Sequence, residues 1–163
     1  MLGLLTYENR LVMRVLLHTG LRISDALALK PEQLKPNFWL TEQKTGKRRQ
    51  VGLPEPLLSD LRAAAGVHWV FPGADPRKHR TRQAVWKDVK RAAEACRLTS
   101  NIAPHSARKV YAVELLRKYG DIDRVRRALN HGGVEVTLIY AMADQRLTAK
   151  GRRRRAAAGK RKA

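Results

Sequence analysis

The chain has 163 residues, enough for one domain, and 44% of them are hydrophobic, enough for a real core. Its 34 lysines and arginines stand against 14 acidic side chains, and a net charge of +20 exceeds what solubility requires. Such an excess selects a polyanionic partner, with a phosphate backbone the obvious one, and the single cysteine excludes an intrachain disulfide.

Residues 7 to 19 read as a helix with Leu11, Val15 and His18 on one face, broken by Thr19 and Gly20. A second short helix, about 22 to 30, stops at Pro31. Residues 38 to 43 and 47 to 53 have the pattern of a β-hairpin turning at Lys44, Thr45 and Gly46. Pro54 then starts a helix ending near Gly66, and "HWVFPG" is a short extended piece leading into a loop. Helices follow at about 81 to 97, 104 to 119, 121 to 130 and 133 to 142. The expected fold is mainly α with one small antiparallel β-hairpin, an α+β class, without internal repeats. Cys96 ends the stripe Val85, Val89, Ala92, Cys96, which predicts a core thiol rather than a nucleophile or metal ligand. No apolar run approaches membrane-spanning length, and the first residues lack the regions of a secretory signal.

The tail differs in kind. "AKGRRRRAAAGKRKA", residues 149 to 163, carries eight basic residues and no acid, and is expected to be disordered when free. It is either a solvated tail or an arm whose Arg152, Arg153, Arg154 and Arg155 contact DNA phosphates. Neither reading makes it sequence-specific.

The informative residues are charged ones placed where apolar ones belong. In "PHSARKVYAVELLRKYG", Arg108 falls in the stripe of Ala112, Leu115 and Tyr119, and His105 lies one turn earlier. A buried arginine must be paired or must hold an anion, because burying it alone is costly. In "TGLRISDALAL", Arg22 shares a helical face with Asp25, Ala26 and Leu29, and Asp25 is placed to hold its guanidinium. In "LNHGGVEVTLIYAM", Gly132 and Gly133 separate His131 from Tyr140 across a turn between two helices. Each of these residues alone has a plain structural reading, as an ion pair or a core aromatic. Together they form a set of two arginines, two histidines, a hairpin lysine and a tyrosine. Two arginines can clamp the non-bridging oxygens of a phosphodiester, and a tyrosine of pKa about 10 is a competent oxygen nucleophile once its proton has an acceptor. There is no metal-ligand spacing, P-loop or Gly-rich cradle, so no metal or cofactor is expected.

These residues resemble the tyrosine recombinase (phage integrase) family, specifically its catalytic domain, over about residues 7 to 143. "TGLRISDALAL" resembles the first arginine box, with Arg22 and Asp25. "QKTGKRRQVGLP" resembles the hairpin that carries the family lysine, making Lys44 the candidate and leaving Lys47 open. "HSAR" matches the H-x-x-R box with His105 and Arg108, "LNH" the L-G-H element with His131, and "TLIY" places Tyr140 as the nucleophile, with Thr137 also fitting. Ala107 stands where leucine is usual, and Asn130 replaces a glycine, a substitution that a left-handed turn tolerates.

The resemblance implies a recombinase or integrase of a phage or mobile element that cleaves and rejoins DNA through a 3′-phosphotyrosine, without metal or ATP. Arg22, Arg108 and His131 would stabilise the transition state, His105 would take the tyrosine proton or bond the phosphate, Lys44 would protonate the leaving 5′-oxygen, and Asp25 would orient Arg22. Lys47, Arg48, Arg49 and Lys109 join the four tail arginines as expected DNA contacts. The partners implied are double-stranded DNA and a homotetramer on two DNA sites, with no membrane, in a prokaryotic or phage-infected cytoplasm at the nucleoid. Residues 1–148 would be the catalytic domain and 149–163 the tail, with the N-terminal core-binding domain usual in the family not present in this chain. Two alternatives stay open: type IB topoisomerase-like DNA relaxation, and a non-enzymatic basic DNA-binding module with a decayed site.

Overall fold

A computed structural model describes residues 1–129 of the chain. The chain divides into two compact units, Met1–Tyr111 and Ala112–Ala163. In the first, α1 (Tyr7–Thr19) is the central element and packs against α2 (Ile23–Leu27), α3 (Glu55–Ala64) and α4 (Arg82–Ala95). Its Leu11, Val12 and Val15 are fully buried. From α3, Leu57, Leu58 and Leu61 join the same core, and from α4, Val85, Val89 and Ala92. These are the i, i+3, i+4 and i+7 spacings of an apolar stripe, so burial of one face explains each helix.

Between α2 and α3 lies the hairpin of β1 (Asn37–Thr41) and β2 (Arg48–Gly52), antiparallel with Phe38 opposite Val51 and Leu40 opposite Arg49. Residues facing each other across an antiparallel pair share a face of the sheet. Phe38, Leu40 and Val51 are buried, so the inward face of this sheet also carries Arg49. The fold is thus mainly helical with one two-stranded sheet among the described residues, in line with the expected class.

Three details depart from the sequence reading. The second helix is only Ile23–Leu27; Arg22 is its N-cap, in extended conformation at φ −70°, and not a helical-face residue. Cys96 is the C-cap of α4 and only half-buried, because the helix has ended where its stripe would reach the core. On α5 (Pro104–Tyr119), Ala107, Arg108 and Ala112 are buried, but Tyr119 is 40% exposed and not part of an apolar face.

Of the second unit, the described part is the end of α5 and α6 (Ile122–Leu129), on which Val125 and Leu129 are buried. Asp121 caps α6 by accepting the Asp123 and Arg124 backbone N–H groups at 2.8 and 3.1 Å. Asn130, His131, Thr137, Tyr140, Arg152, Arg153, Arg154 and Arg155, with the helix expected over 133 to 142, lie outside the described residues.

Candidate active site

The site begins at the end of α1. Gly20 takes the left-handed conformation, φ +62°, and its N–H closes the helix on the Leu16 carbonyl. The Thr19 hydroxyl locks the turn, donating to the Val15 carbonyl at 2.6 Å and accepting the Leu21 N–H at 3.2 Å. The turn presents two successive carbonyls, and each receives an arginine. Arg108 Nη1 donates to the Gly20 carbonyl at 2.5 Å, and Arg49 Nη2 donates to the Thr19 carbonyl. Two arginines from distant parts of the sequence are thereby held by one turn.

The third arginine arrives two residues later. Arg22 Nη1 donates to Glu42 Oε2 at 2.5 Å. Glu42 follows β1 directly and continues its alternation, so Phe38, Leu40 and Glu42 all face inward, and Glu42 is 0% exposed. The same Oε2 accepts the Thr45 hydroxyl at 2.9 Å, and Oε1 lies 3.9 Å from Arg49 Nη1. The hairpin turn is pinned to this residue, since the Glu42 carbonyl accepts the Gly46 N–H and the Glu42 N–H donates to the Lys47 carbonyl.

Asp25 has a different partner from the one expected. Its Oδ1 accepts the Gln43 N–H at 3.0 Å, tying α2 to the hairpin, and the ion pair to Arg22 belongs to Glu42. The reason is local: with Arg22 at the N-cap and not inside the helix, the i,i+3 geometry that would pair it with Asp25 does not form. Asp25 is nonetheless buried within the field of the cluster, where it favours the charged forms of Arg49 and Arg108.

The result is three guanidinium groups around two carboxylates, with one net positive charge. Burial pulls the Arg108 pKa down to about 10, with the charge of Arg22 acting in the same direction and Glu42 opposing it. Arg108 therefore stays cationic at neutral pH. Burial likewise lowers Arg49. Asp25 Oδ2, Glu42 Oε1 and Arg49 Nη1 are buried without a hydrogen-bond partner among the described residues. A buried polar cluster that is only partly satisfied costs stability, which makes this a poor device for holding a fold and a reasonable one for holding an anion.

Most of the remaining candidates among the described residues are exposed. His105 stands exposed in the first turn of α5, its pKa lowered by partial desolvation and then by the charges of Arg108, Lys109 and Arg22. A cleft of about 330 Å³ opens beside it, lined by Ile23, Arg82, Trp86 and Pro104 among others. Lys44 and Lys47 are exposed in the hairpin turn next to Thr45. Arg48 is exposed and lies 5.3 Å from the Trp39 ring, and Lys109 is exposed on α5. Arg49 does not share that position: its side chain is only 10% exposed and points into the cluster, contrary to its expected place among surface DNA contacts.

The sequence reading missed Glu42 and the inward role of Arg49. Both were legible in principle, because each lies on the apolar register of its strand: 38, 40, 42 on one and 49, 51, 53 on the other.

The model of the phage integrase family matches residues 3–146. The chain is 30% identical over 138 residues to the probable integrase/recombinase YoeC of Bacillus subtilis, covering 81% of this chain and 76% of that one. It is 30% identical over 154 residues to the tyrosine recombinase XerD of Mycobacterium tuberculosis, covering 86% of this chain but 49% of the relative. Among solved structures, the XerH site-specific recombinase bound to its difH substrate superposes with a TM-score of 0.71 at 23% identity, over 90% of this chain and 46% of that one. The catalytic domain of bacteriophage HP1 integrase superposes with a TM-score of 0.61 at 26% identity, over 82% of this chain and 73% of that one. The chain thus spans about half the length of several relatives, and the part it matches in the HP1 enzyme is the catalytic domain. On the family match and the YoeC relationship together, the chain belongs to the phage integrase family.

Proposed function

We propose that this chain is the catalytic domain of a site-specific DNA recombinase, cutting and rejoining DNA strands through a covalent 3′-phosphotyrosine at Tyr140. The observation that carries the proposal is the meeting of Arg22 and Arg108, 86 positions apart, in one buried cationic cluster built around the Thr19–Gly20 turn and Glu42. Such a cluster suits the charge that develops on a phosphodiester attacked by an oxygen nucleophile.

In this mechanism the Tyr140 oxygen attacks phosphorus, and the bond to the 5′-oxygen breaks. Arg22 and Arg108 take the charge on the non-bridging oxygens, and His131 donates a hydrogen bond to one of them. His105 accepts the tyrosine proton; its lowered pKa supports that role, because a neutral imidazole at pH 7 has a free acceptor nitrogen. Lys44, with Lys47 as the other candidate in the same turn, protonates the leaving 5′-oxygen. Asp25 braces the hairpin against α2 through the Gln43 N–H and so acts on Arg22 indirectly. The ester conserves the energy of the broken bond, so a 5′-hydroxyl from a second strand can reverse the attack. Exchange between two DNA sites would use a homotetramer at the nucleoid. Lys47, Arg48 and Lys109 would meet the DNA backbone, as would Arg152, Arg153, Arg154 and Arg155.

The test is covalent capture. Protein and a Tyr140→Phe variant are incubated with nicked duplexes from the DNA flanking the gene and run on a denaturing gel. A protease-sensitive shifted band from the wild type alone is the expected result. Loss of DNA binding together with capture in Tyr140→Phe would make Tyr140 a structural residue and overturn the assignment.

A further inference from the structure

Glu42 is a fully buried carboxylate that none of the sequence motifs brings in, and among the described residues it is ion-paired with both Arg22 and Arg49. Its two oxygens are used differently. Oε2 is saturated by Arg22 at 2.5 Å and the Thr45 hydroxyl at 2.9 Å, whereas Oε1 is held near Arg49 Nη1 without a hydrogen bond. Arg49 is fixed from its other side by the Thr19 carbonyl, on the turn whose next carbonyl holds Arg108. A continuous chain of contacts therefore runs Arg22, Glu42, Arg49, Thr19, Gly20, Arg108. The two arginines proposed to clamp the phosphate are its ends, and Glu42 is the acid that joins them.

From this geometry we infer that Glu42 is a positioning residue for phosphoryl transfer: it aims Arg22 directly and holds Arg49 against the turn that aims Arg108. The inference rests on the proposed recombinase reading. It also makes a claim about charge. Two carboxylates against three arginines leave one positive charge for a phosphodiester that carries one negative charge. Removing the Glu42 charge raises the local potential, which favours anion binding, while it releases the guanidinium of Arg22. Binding and chemistry should then separate, which a residue needed only for folding would not produce.

The test compares Glu42→Gln and Glu42→Asp with the wild type in three measurements on the full chain: DNA affinity at fixed salt, the rate of covalent capture on the nicked duplex, and side-chain Nε–H NMR signals of arginine during titration with inorganic phosphate. The expected result for Glu42→Gln is DNA affinity equal to or tighter than wild type, with capture slowed about 10- to 100-fold, the scale of misplacing a reacting group by about 1 Å. Glu42→Asp, which keeps the charge on a shorter arm, should recover part of the rate. In the wild type, phosphate should shift the Arg22 and Arg108 signals together; in Glu42→Gln the Arg22 response should be lost. Should Glu42→Gln fail to fold, Glu42→Met combined with Arg49→Met replaces the ion pair by apolar groups, a change that buried pairs tolerate. This double variant should fold and still capture slowly. Wild-type capture by Glu42→Gln, equal losses of affinity and rate, or unchanged Arg22 signals would each overturn the inference. A wild type that captures no DNA would sink the recombinase reading itself, and the phosphate titration would still decide whether Glu42 aims the arginines.

Discussion

A Cβ added at Gly20 would stand 2.3 Å from Cδ1 of Tyr111, on a backbone at φ +62°. Two separate penalties meet there. A left-handed backbone costs a side-chain-bearing residue about 1–2 kcal/mol, and forcing an atom into a packed contact costs about 1–3 kcal/mol. Gly20→Ala is expected to destabilise the protein by about 2–5 kcal/mol in urea unfolding. Because the ring of Tyr111 is the obstacle, Tyr111→Ala should relieve the second penalty and not the first. The double variant should therefore lose less stability than the two single variants added together. Additive losses would mean that the ring moves aside freely, and that only the backbone conformation requires glycine. The turn also carries the carbonyls that hold Arg49 and Arg108, so Gly20→Ala should slow capture beyond its effect on the folded fraction.

At the scale of elements, α1 and α4 are joined by one carboxylate. Asp88 Oδ2 accepts the Thr6 N–H at 2.9 Å, the Thr6 hydroxyl at 3.1 Å and the Asn9 amide at 2.8 Å, while Arg91 bonds Oδ1 at 2.6 Å. Thr6 is the N-cap of α1, so an acid on α4 supplies the negative charge that this helix start favours. Burial pushes the Asp88 carboxyl up, but the bonds from Asn9, Arg91 and Thr6 together outweigh it and hold the pKa at about 2. A folded-state pKa below the ordinary 3.8 gives stability that is complete above 3.8 and is lost as pH falls toward 2. Asp88→Asn should lower stability at neutral pH by about 1.5–3 kcal/mol, the scale of hydrogen bonds to a charged group. It should also flatten the acid limb of urea midpoint against pH. An unchanged acid limb would show that other carboxylates set it. The stripe on α4 was legible because apolar periodicity repeats within one segment, whereas the bonds of Asp88 to Asn9 and Thr6 cross 79 and 82 positions and leave no local pattern. The hairpin makes the complementary point. A misplaced charge is as legible on a strand as on a helical face: Glu42 and Arg49 break a two-residue alternation as plainly as Arg108 breaks an apolar stripe.

Across the whole molecule, the class of fold followed from periodicity and a net charge of +20 called for a polyanionic partner, whereas the direction in which each basic residue points was not legible. Lys47, Arg48 and Arg49 are consecutive and identical in formal charge, yet the pleat sends Arg49 inward to Glu42 while Lys47 and Arg48 are exposed. Salt dependence of DNA binding separates these roles. Each phosphate contact contributes about −0.9 to the slope of log K against log salt. Alanine at Lys47, Arg48 or Lys109 should each reduce the magnitude of the slope by about 1 and weaken binding alike on all sequences. Replacing Arg152, Arg153, Arg154 and Arg155 together should reduce it by up to about 4 if the tail lies along the backbone. An unchanged slope would make it a solvated tail. Arg49→Ala is the deciding comparison. It removes the same charge from the sequence, so a slope set by net charge alone would fall as it does for Arg48→Ala. With Arg49 held between Glu42 and the Thr19 carbonyl, the slope should stay near the wild-type value while capture slows. A loss of about 1 in slope would instead put the Arg49 guanidinium on a DNA phosphate and make it a third member of the clamp.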